Sequence, residues 1–387
     1  MPASIPKPSA QNERRYFAAL DGLRLLASLN VVLFHLRSVG GLYGANLPSR
    51  LAFLLDQPAF HASLFFMLAG LIYQTKYGVV PSAFRPGAFL RRRFMALYPL
   101  HALTTLAMVP LIFFYTTPGA GVPPVLLSLL VHLSLVYSLV PFVPFGLNTP
   151  SWALSAFFLC YLLLKPALFA VRRLTSCKAV AGAAAACFAL ICLWGMIYTR
   201  WVGDWSWYLF FHIFAPIRFF EFFLGMLLGR LLDFFPAAGW KRAHALLVDI
   251  CLVVLFAAVY VNARWYGQAS SAERWFSYHV VAVFIFCGIT FLLACNRGIV
   301  CALFSLSPVR KLGAISFYPY LLHIPFFGWA AFIAERFFGC RAFLHDPMVI
   351  VVLVAALYGL SLVFARHDVR YMFTRRTAAP GKNRETS

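Results

Sequence analysis

Residues 17–37 read FAALDGLRLLASLNVVLFHLR, a run of membrane-spanning length that still carries Asp21, Arg24 and His35. A helix rising 1.5 Å per residue needs about 20 mostly apolar residues to cross a hydrocarbon core of roughly 30 Å, and this run supplies them. The fold therefore begins as a membrane helix. Arg24 and His35 stand eleven positions apart. At about 100° per residue their side chains return to nearly the same helix face, about 16 Å apart along the axis. Asp21, three residues before Arg24, shares that face and is placed to pair with it. An arginine left alone in hydrocarbon costs at least ~2.5 kcal/mol, so ionisable residues at this depth are functional candidates. The expected arrangement is a polar cavity lined by Asp21, Arg24 and His35.

The rest of the chain repeats this pattern. Of 387 residues, 62% are hydrophobic and 12% charged, with a mean hydropathy of +0.80. A soluble domain carries about 25% charged residues, so the composition defines an all-α polytopic membrane protein. A net charge of +21 in a soluble domain would suggest nucleic acid. Here Lys and Arg cluster between apolar runs, at Lys7/Arg14/Arg15, 76–93, Arg172/Arg173/Lys178, 230–242, Arg297/Arg310/Lys311 and 366–384. That is the excess of cytoplasmic loops facing anionic headgroups, so membrane lipid is an expected partner and nucleic acid is not. The nine cysteines show no C-x-x-C spacing and fall mostly within apolar runs. They read as small hydrophobes, not as a disulfide or metal framework.

Apolar runs lie near 17–37, 51–74, 94–115, 123–143, 152–171, 179–199, 207–232, 243–262, 278–296, 313–334 and 347–365. With the N-terminus inside, eleven crossings would leave Arg172, Arg173, Lys178 and the Arg-rich C-terminus outside. The run 123–143 holds Pro123, Pro124 and Pro141. Treated as a re-entrant or interfacial element, it makes every basic cluster cytoplasmic. The expected architecture is about ten transmembrane helices plus that element, with both termini cytoplasmic. A cytoplasmic tail over 1–16 precedes a transmembrane domain over 17–366, and a basic tail over 367–387 follows. The first helix lacks an A-x-A-like site and is expected to be retained as an anchor.

Other polar groups interrupt the apolar runs. Arg218 and Glu221 lie three apart on one face of the run 207–232, the least costly way to keep charge there. They serve either the reaction or the register between helices. His323 stands two residues before Pro325. Its imidazole serves the chemistry, or it satisfies the carbonyl that Pro325 leaves without a donor. Arg91, Arg92 and Arg93 open the third run, after a loop holding Lys76 and Arg85. They suit a topogenic role and also a phosphorylated ligand, because guanidinium forks match phosphate oxygens. Tyr98-Pro99 is expected to break that helix just inside the membrane. His132 and His212 also lie in apolar runs, with nothing nearby to mark them.

Six segments occur in order: Leu20–Arg24 with His35, Ser63–Gly70, Arg91–His101, Asn148–Ser155, Arg218–Gly225 and Gly313–Pro325. Together they resemble the acyltransferase-3 family of integral membrane acyltransferases, and the resemblance spreads over nearly the whole chain. The first is similar to that family's Arg-x10-His helix, and the second to its F-F-x-L-S-G pattern. The third resembles the basic stretch leading into Y-P. The remaining three resemble N-x-P-S-W-S-L-S, R-x-x-E-F-x-x-G and G-x-I-S-Y-x-x-Y-L-L-H-x-P. Two departures stand out. Ala96 replaces the second arginine of a common Arg-x-x-Arg, and Ala156-Phe157 replaces a frequent Val-Glu. A chain without that glutamate belongs to a branch with a different acceptor, or is impaired.

What the resemblance implies is transfer of an acyl group, commonly acetyl, from cytoplasmic acyl-CoA to a hydroxyl of a glycan, lipid-linked sugar or other envelope acceptor at the bacterial inner membrane. No permanently bound cofactor or metal is implied; acetyl-CoA is a co-substrate. On this basis His35 acts as base or acyl carrier, and neutral imidazole suits proton removal from a hydroxyl. Arg24 orients the thioester or stabilises its oxyanion, and Asp21 holds Arg24 in place. Arg85, Arg91, Arg92 and Arg93 hold the donor phosphates. Arg218, Glu221, His323, Ser155 and Trp152 are supporting or acceptor-side groups. Two alternatives from other classes stand beside it. One is a transporter or exporter, with the buried ionisable groups marking a substrate or proton path. The other is a catalytically decayed family member acting as a binding partner.

Overall fold

The computed structural model describes residues 16–40, 59–117, 119–139, 146–201, 212–235, 242–340 and 346–367. Among them there is no β-strand. In hydrocarbon every backbone N–H and C=O must find its partner within the chain, and the helix does this locally. The helices are α1 (Ala18–Gly40), α2 (Ala59–Tyr77), α3 (Pro86–Leu111), α4 (Val122–Leu133), α5 (Trp152–Arg172), α6 (Cys177–Trp201) and α7 (Ala215–Leu231). They continue as α8 (Arg242–Gln268), α9 (Ser271–Phe276), α10 (Val283–Ala294), α11 (Gly298–Phe304), α12 (Ser307–Ala314), α13 (Phe317–Phe338) and α14 (Pro347–His367). A π-helical turn, Ser277–Ala282, joins α9 to α10.

Among the described residues, eight helices are long and apolar enough to cross a membrane. They are α1, α3, α5, α6, α8, the α9–α10 run, α13 and α14. At 12 residues α4 is about 18 Å long, too short to cross. That length agrees with a non-spanning element in the run 123–143, whose residues 140–145 lie outside the described set. The tails expected over 1–16 and 367–387 lie almost wholly outside it as well.

Two apolar helices, α2 and α7, pack face to face at the centre. A Cβ on Gly70 would collide with the Phe222 carbonyl, and one on Gly225 with the Met67 carbonyl. Glycine at both positions lets the backbones touch, the small-residue solution for helix contact in lipid. Around this pair, α7 also packs on α5 and α6, while α1 packs on α2, α12 and α13, and α13 on α3 and α14. Asp21 and Ser28 of α1, Ser63 and Gln74 of α2, Arg218 and Glu221 of α7 and His323 of α13 thereby face the interior.

Three local expectations are corrected. Tyr98-Pro99 does not break a helix, because α3 runs unbroken through Pro99. Proline removes one ladder hydrogen bond, and in a low-dielectric setting the remaining bonds outweigh that loss. The helix starts at Pro86, so Arg91, Arg92 and Arg93 lie inside its second turn and do not open it. Lys76 belongs to the last turn of α2, and only Arg85 stands in the connection.

Candidate active site

The face of α1 predicted to carry charge does so. Arg24 Nη1 donates to Asp21 Oδ1 at 2.7 Å, and the Tyr16 hydroxyl donates to Asp21 Oδ2 at 2.7 Å. Asp21 is thus held from both sides. The bond to Asp21 also pushes the Tyr16 phenol above its ordinary pKa. About one turn beyond Arg24, Ser28 bonds the Ser316 carbonyl and the Tyr358 hydroxyl, fixing α1 against α13 and α14.

His35 lies further along α1, half-buried, with Nδ1 3.0 Å from the Val31 carbonyl. A carbonyl can only accept, so Nδ1 carries the proton and Nε2 the lone pair. His323 of α13 repeats this geometry: its Nδ1 is 3.0 Å from the Pro319 carbonyl. Its Nε2 is buried with no hydrogen-bond partner. The two imidazole rings meet with centroids 4.9 Å apart and planes tilted by 44°. The carbonyl that Pro325 leaves without a helical donor is that of Leu321, and Asn148 Nδ2 fills it at 3.0 Å. The expectation that His323 performs that task is therefore corrected: a nearer amide does it, and the imidazole is left for something else.

Arg24 is paired within its own helix by Asp21. A cavity of about 510 Å³ lies between α3, α13 and α14, lined by residues including Leu103, Thr104, Leu322, Pro325 and Trp329. The hydroxyl of Thr104 bonds the Leu100 carbonyl and the indole N–H of Trp329 bonds the Ala107 carbonyl. Those walls offer ligands apolar surface.

The basic residues divide. Arg85, Arg91 and Arg92 are exposed. Arg93 turns inward, its guanidinium 5.2 Å from the Tyr73 ring centroid and 5.3 Å from that of Phe89. Cation–π contact of this kind holds a charge at an apolar boundary. Ala96, one turn on, is half-buried and leaves this cage with one cation.

Arg218 and Glu221 are both fully buried. Arg218 Nη1 donates to both Glu221 oxygens, at 2.7 and 2.8 Å, and to Ser63 Oγ at 3.1 Å. Its Nη2 donates to the Tyr278 hydroxyl at 3.1 Å and to the His212 carbonyl, and Trp152 covers the guanidinium at 5.1 Å. Ser63 in turn donates to Glu221 at 2.9 Å. Burial is tolerated because almost every polar valence is met. Ser155 is elsewhere: its hydroxyl donates to the Leu135 carbonyl and accepts from Ser138, holding the turn after α4.

Sequence reasoning missed Tyr278 and His279. Both sit on the π-turn, a distortion frequent at functional sites and not readable from residue spacing. His279 Nδ1 lies 3.8 Å from Glu221 Oε1, and its ring centroid lies 3.9 Å from that of Trp275, with the planes tilted by 33°. The position where the resemblance would place a glutamate is closed by aromatic rings. Phe157 stacks on Phe66 at 4.3 Å and on Tyr161 at 5.9 Å, and Phe66 stacks on Trp152 at 6.1 Å.

Apolar helices of membrane-spanning length with ionisable groups buried between them define an integral membrane protein. The acyltransferase domain of the acyltransferase-3 family matches residues 17–366, and the chain belongs to that family. It is similar to the acyltransferase MdmB of Streptomyces mycarofaciens, with 29% identity over 232 residues. The match covers 55% of this chain and 57% of that relative, so the chain spans little more than half the relative's length. No solved structure matches it.

Proposed function

We propose that the protein moves an acyl group, acetyl in the simplest case, from cytoplasmic acyl-CoA to a hydroxyl of a glycan, lipid-linked sugar or other envelope acceptor. Its site of action is the bacterial inner membrane, with ten spans and both termini cytoplasmic. The observation that carries the mechanism is the pinned imidazole of His35: Nδ1 donates to the Val31 carbonyl, so the lone pair that acts as base or nucleophile is that of Nε2. As base, Nε2 takes the hydroxyl proton while the oxygen bonds to the thioester carbonyl carbon. The C–S bond breaks, and the thiolate of CoA recovers the proton from His35.

Arg24, on the same face of α1 and oriented by Asp21, stands about 16 Å from His35 along the helix axis, where it orients the thioester donor from the cytoplasmic side. Arg85, Arg91 and Arg92 meet the donor's phosphates at the exposed end of α3, and Arg93 adds a cation braced by Tyr73 and Phe89. The Arg218–Glu221 pair, with Trp152 over its guanidinium, positions the core helices behind the acceptor side, as Ser155 does for the turn after α4.

The test is incubation of membranes containing the protein with radiolabelled acetyl-CoA and an extract of the host's envelope glycans and lipids. Label appearing in an envelope hydroxyl ester supports the function and identifies the acceptor. Label that stays in acetyl-CoA across a series of acyl chain lengths contradicts it.

A further inference from the structure

We infer that Arg310 and Lys311 of α12, with Arg24 of α1 beside them, form a phosphate-binding site at the N-terminal end of α1. Packing brings these cations together. A methyl group at Gly22 would collide with the Phe304 carbonyl, and one at Gly313 with the Asp21 carbonyl, so α11 and α12 close directly on the first turns of α1. Arg310, one turn before Gly313, is carried to Tyr16, with its guanidinium 5.9 Å from the ring centroid. Tyr16 in turn donates to Asp21, which also holds Arg24. Tyr16, Asp21, Arg24 and Arg310 are one connected cluster, and Lys311 is exposed next to it in the chain.

The cluster is short of negative charge. Asp21 engages Arg24 through Oδ1 and Tyr16 through Oδ2, so both of its oxygens are in use. Among the described residues no carboxylate pairs with Arg310 or Lys311, and Arg310 Nε is buried with no hydrogen-bond partner. Arg24, Arg310 and Lys311 thus share a single carboxylate. An anion restores the balance, and it can enter, because the Arg24 side chain is 27% exposed and Lys311 is exposed. Guanidinium forks match phosphate oxygens in pairs, and the flexible stem of a lysine lets its ammonium swing onto a third. A phosphate, with several charged oxygens, meets more of these cations at once than a carboxylate does. Two sources supply that chemistry: the phosphate of a nucleotide such as the acyl donor, and the headgroup of an anionic lipid.

The experiment reads binding without turnover, so its failure is distinct from a failure of the acyl-transfer function. Full-length wild type, Arg310→Gln, Lys311→Gln and the double variant, in neutral detergent, are titrated with CoA and separately with phosphatidylglycerol, with phosphatidylcholine as the zwitterionic control. Arg172→Gln, which removes an exposed cation from the end of α5, controls for net charge. The expected result is that the double variant binds one of the two phosphate probes about 10-fold more weakly than wild type, while Arg172→Gln binds as wild type does. Weakened binding of CoA assigns the site to a nucleotide phosphate, and weakened binding of phosphatidylglycerol assigns it to a lipid headgroup. Equal affinity of wild type and double variant for both probes overturns the inference, as does an equal loss in Arg172→Gln. Thermal melts identify a variant that fails to fold. If the Arg310 variants do so, a lowered affinity of folded Lys311→Gln supports the site and an unaltered one overturns it.

Discussion

Gly313 lies so close to Asp21 that a methyl group at position 313 would collide with the Asp21 carbonyl. The contact seats α12 on the turn of α1 that carries the Asp21–Arg24 pair. Packing at this point therefore sets the position of Arg24 relative to the rest of the site.

Gly313→Ala should displace that turn. The expected outcome is a lowered kcat for acyl transfer together with a lower melting temperature in detergent, from overpacking that typically costs about 1–3 kcal/mol. Unchanged values of both would mean that α1 and α12 are not in contact.

The buried pair of α7 makes a different prediction. Arg218→Met or Glu221→Leu alone strands one charge in the core and should destabilise the protein by about 3–5 kcal/mol. The double substitution removes both charges and should recover most of that loss. Thermal melts of the three variants decide the matter; equal stability of single and double variants would contradict the pairing.

Among the arginines, Arg91→Ala and Arg92→Ala should raise the donor KM and leave melting unchanged, because both side chains are exposed. Arg93→Ala should raise KM and also lower stability, since its guanidinium packs on Tyr73 and Phe89. Inverted or unstable protein with a normal donor KM would assign all three to topology alone.

Phe157→Glu would place a carboxylate in the stack formed by Phe66 and Tyr161. An unpaired polar group in such surroundings costs about 2–7 kcal/mol, so the variant should melt well below wild type. A variant of wild-type stability would show that water or a cation reaches this position.

The helical class was legible in the sequence because the apolar runs have membrane length, and the pairs Asp21–Arg24 and Arg218–Glu221 were legible because three residues is a helical neighbour spacing. What periodicity cannot give is contact between distant helices. His35 and His323 belong to opposite ends of the chain, and only the packing of α1 on α13 brings their rings together. Asn148 reaches the Leu321 carbonyl by the same kind of tertiary contact. Tyr278 and His279 escaped notice because a π-turn shifts the face that a helical period would assign. The uninterrupted course of α3 through Pro99 shows that a proline is a weak stop signal when the surroundings reward every remaining backbone bond.

The imidazole of His35 is proposed to perform the transfer. Its most direct test is the initial rate of label transfer from acetyl-CoA to the extracted acceptor by purified wild type and His35→Ala, with equal folded protein and intact donor binding in both. Wild type should transfer label, and the variant should transfer none above background. Transfer by His35→Ala at the wild-type rate would contradict it.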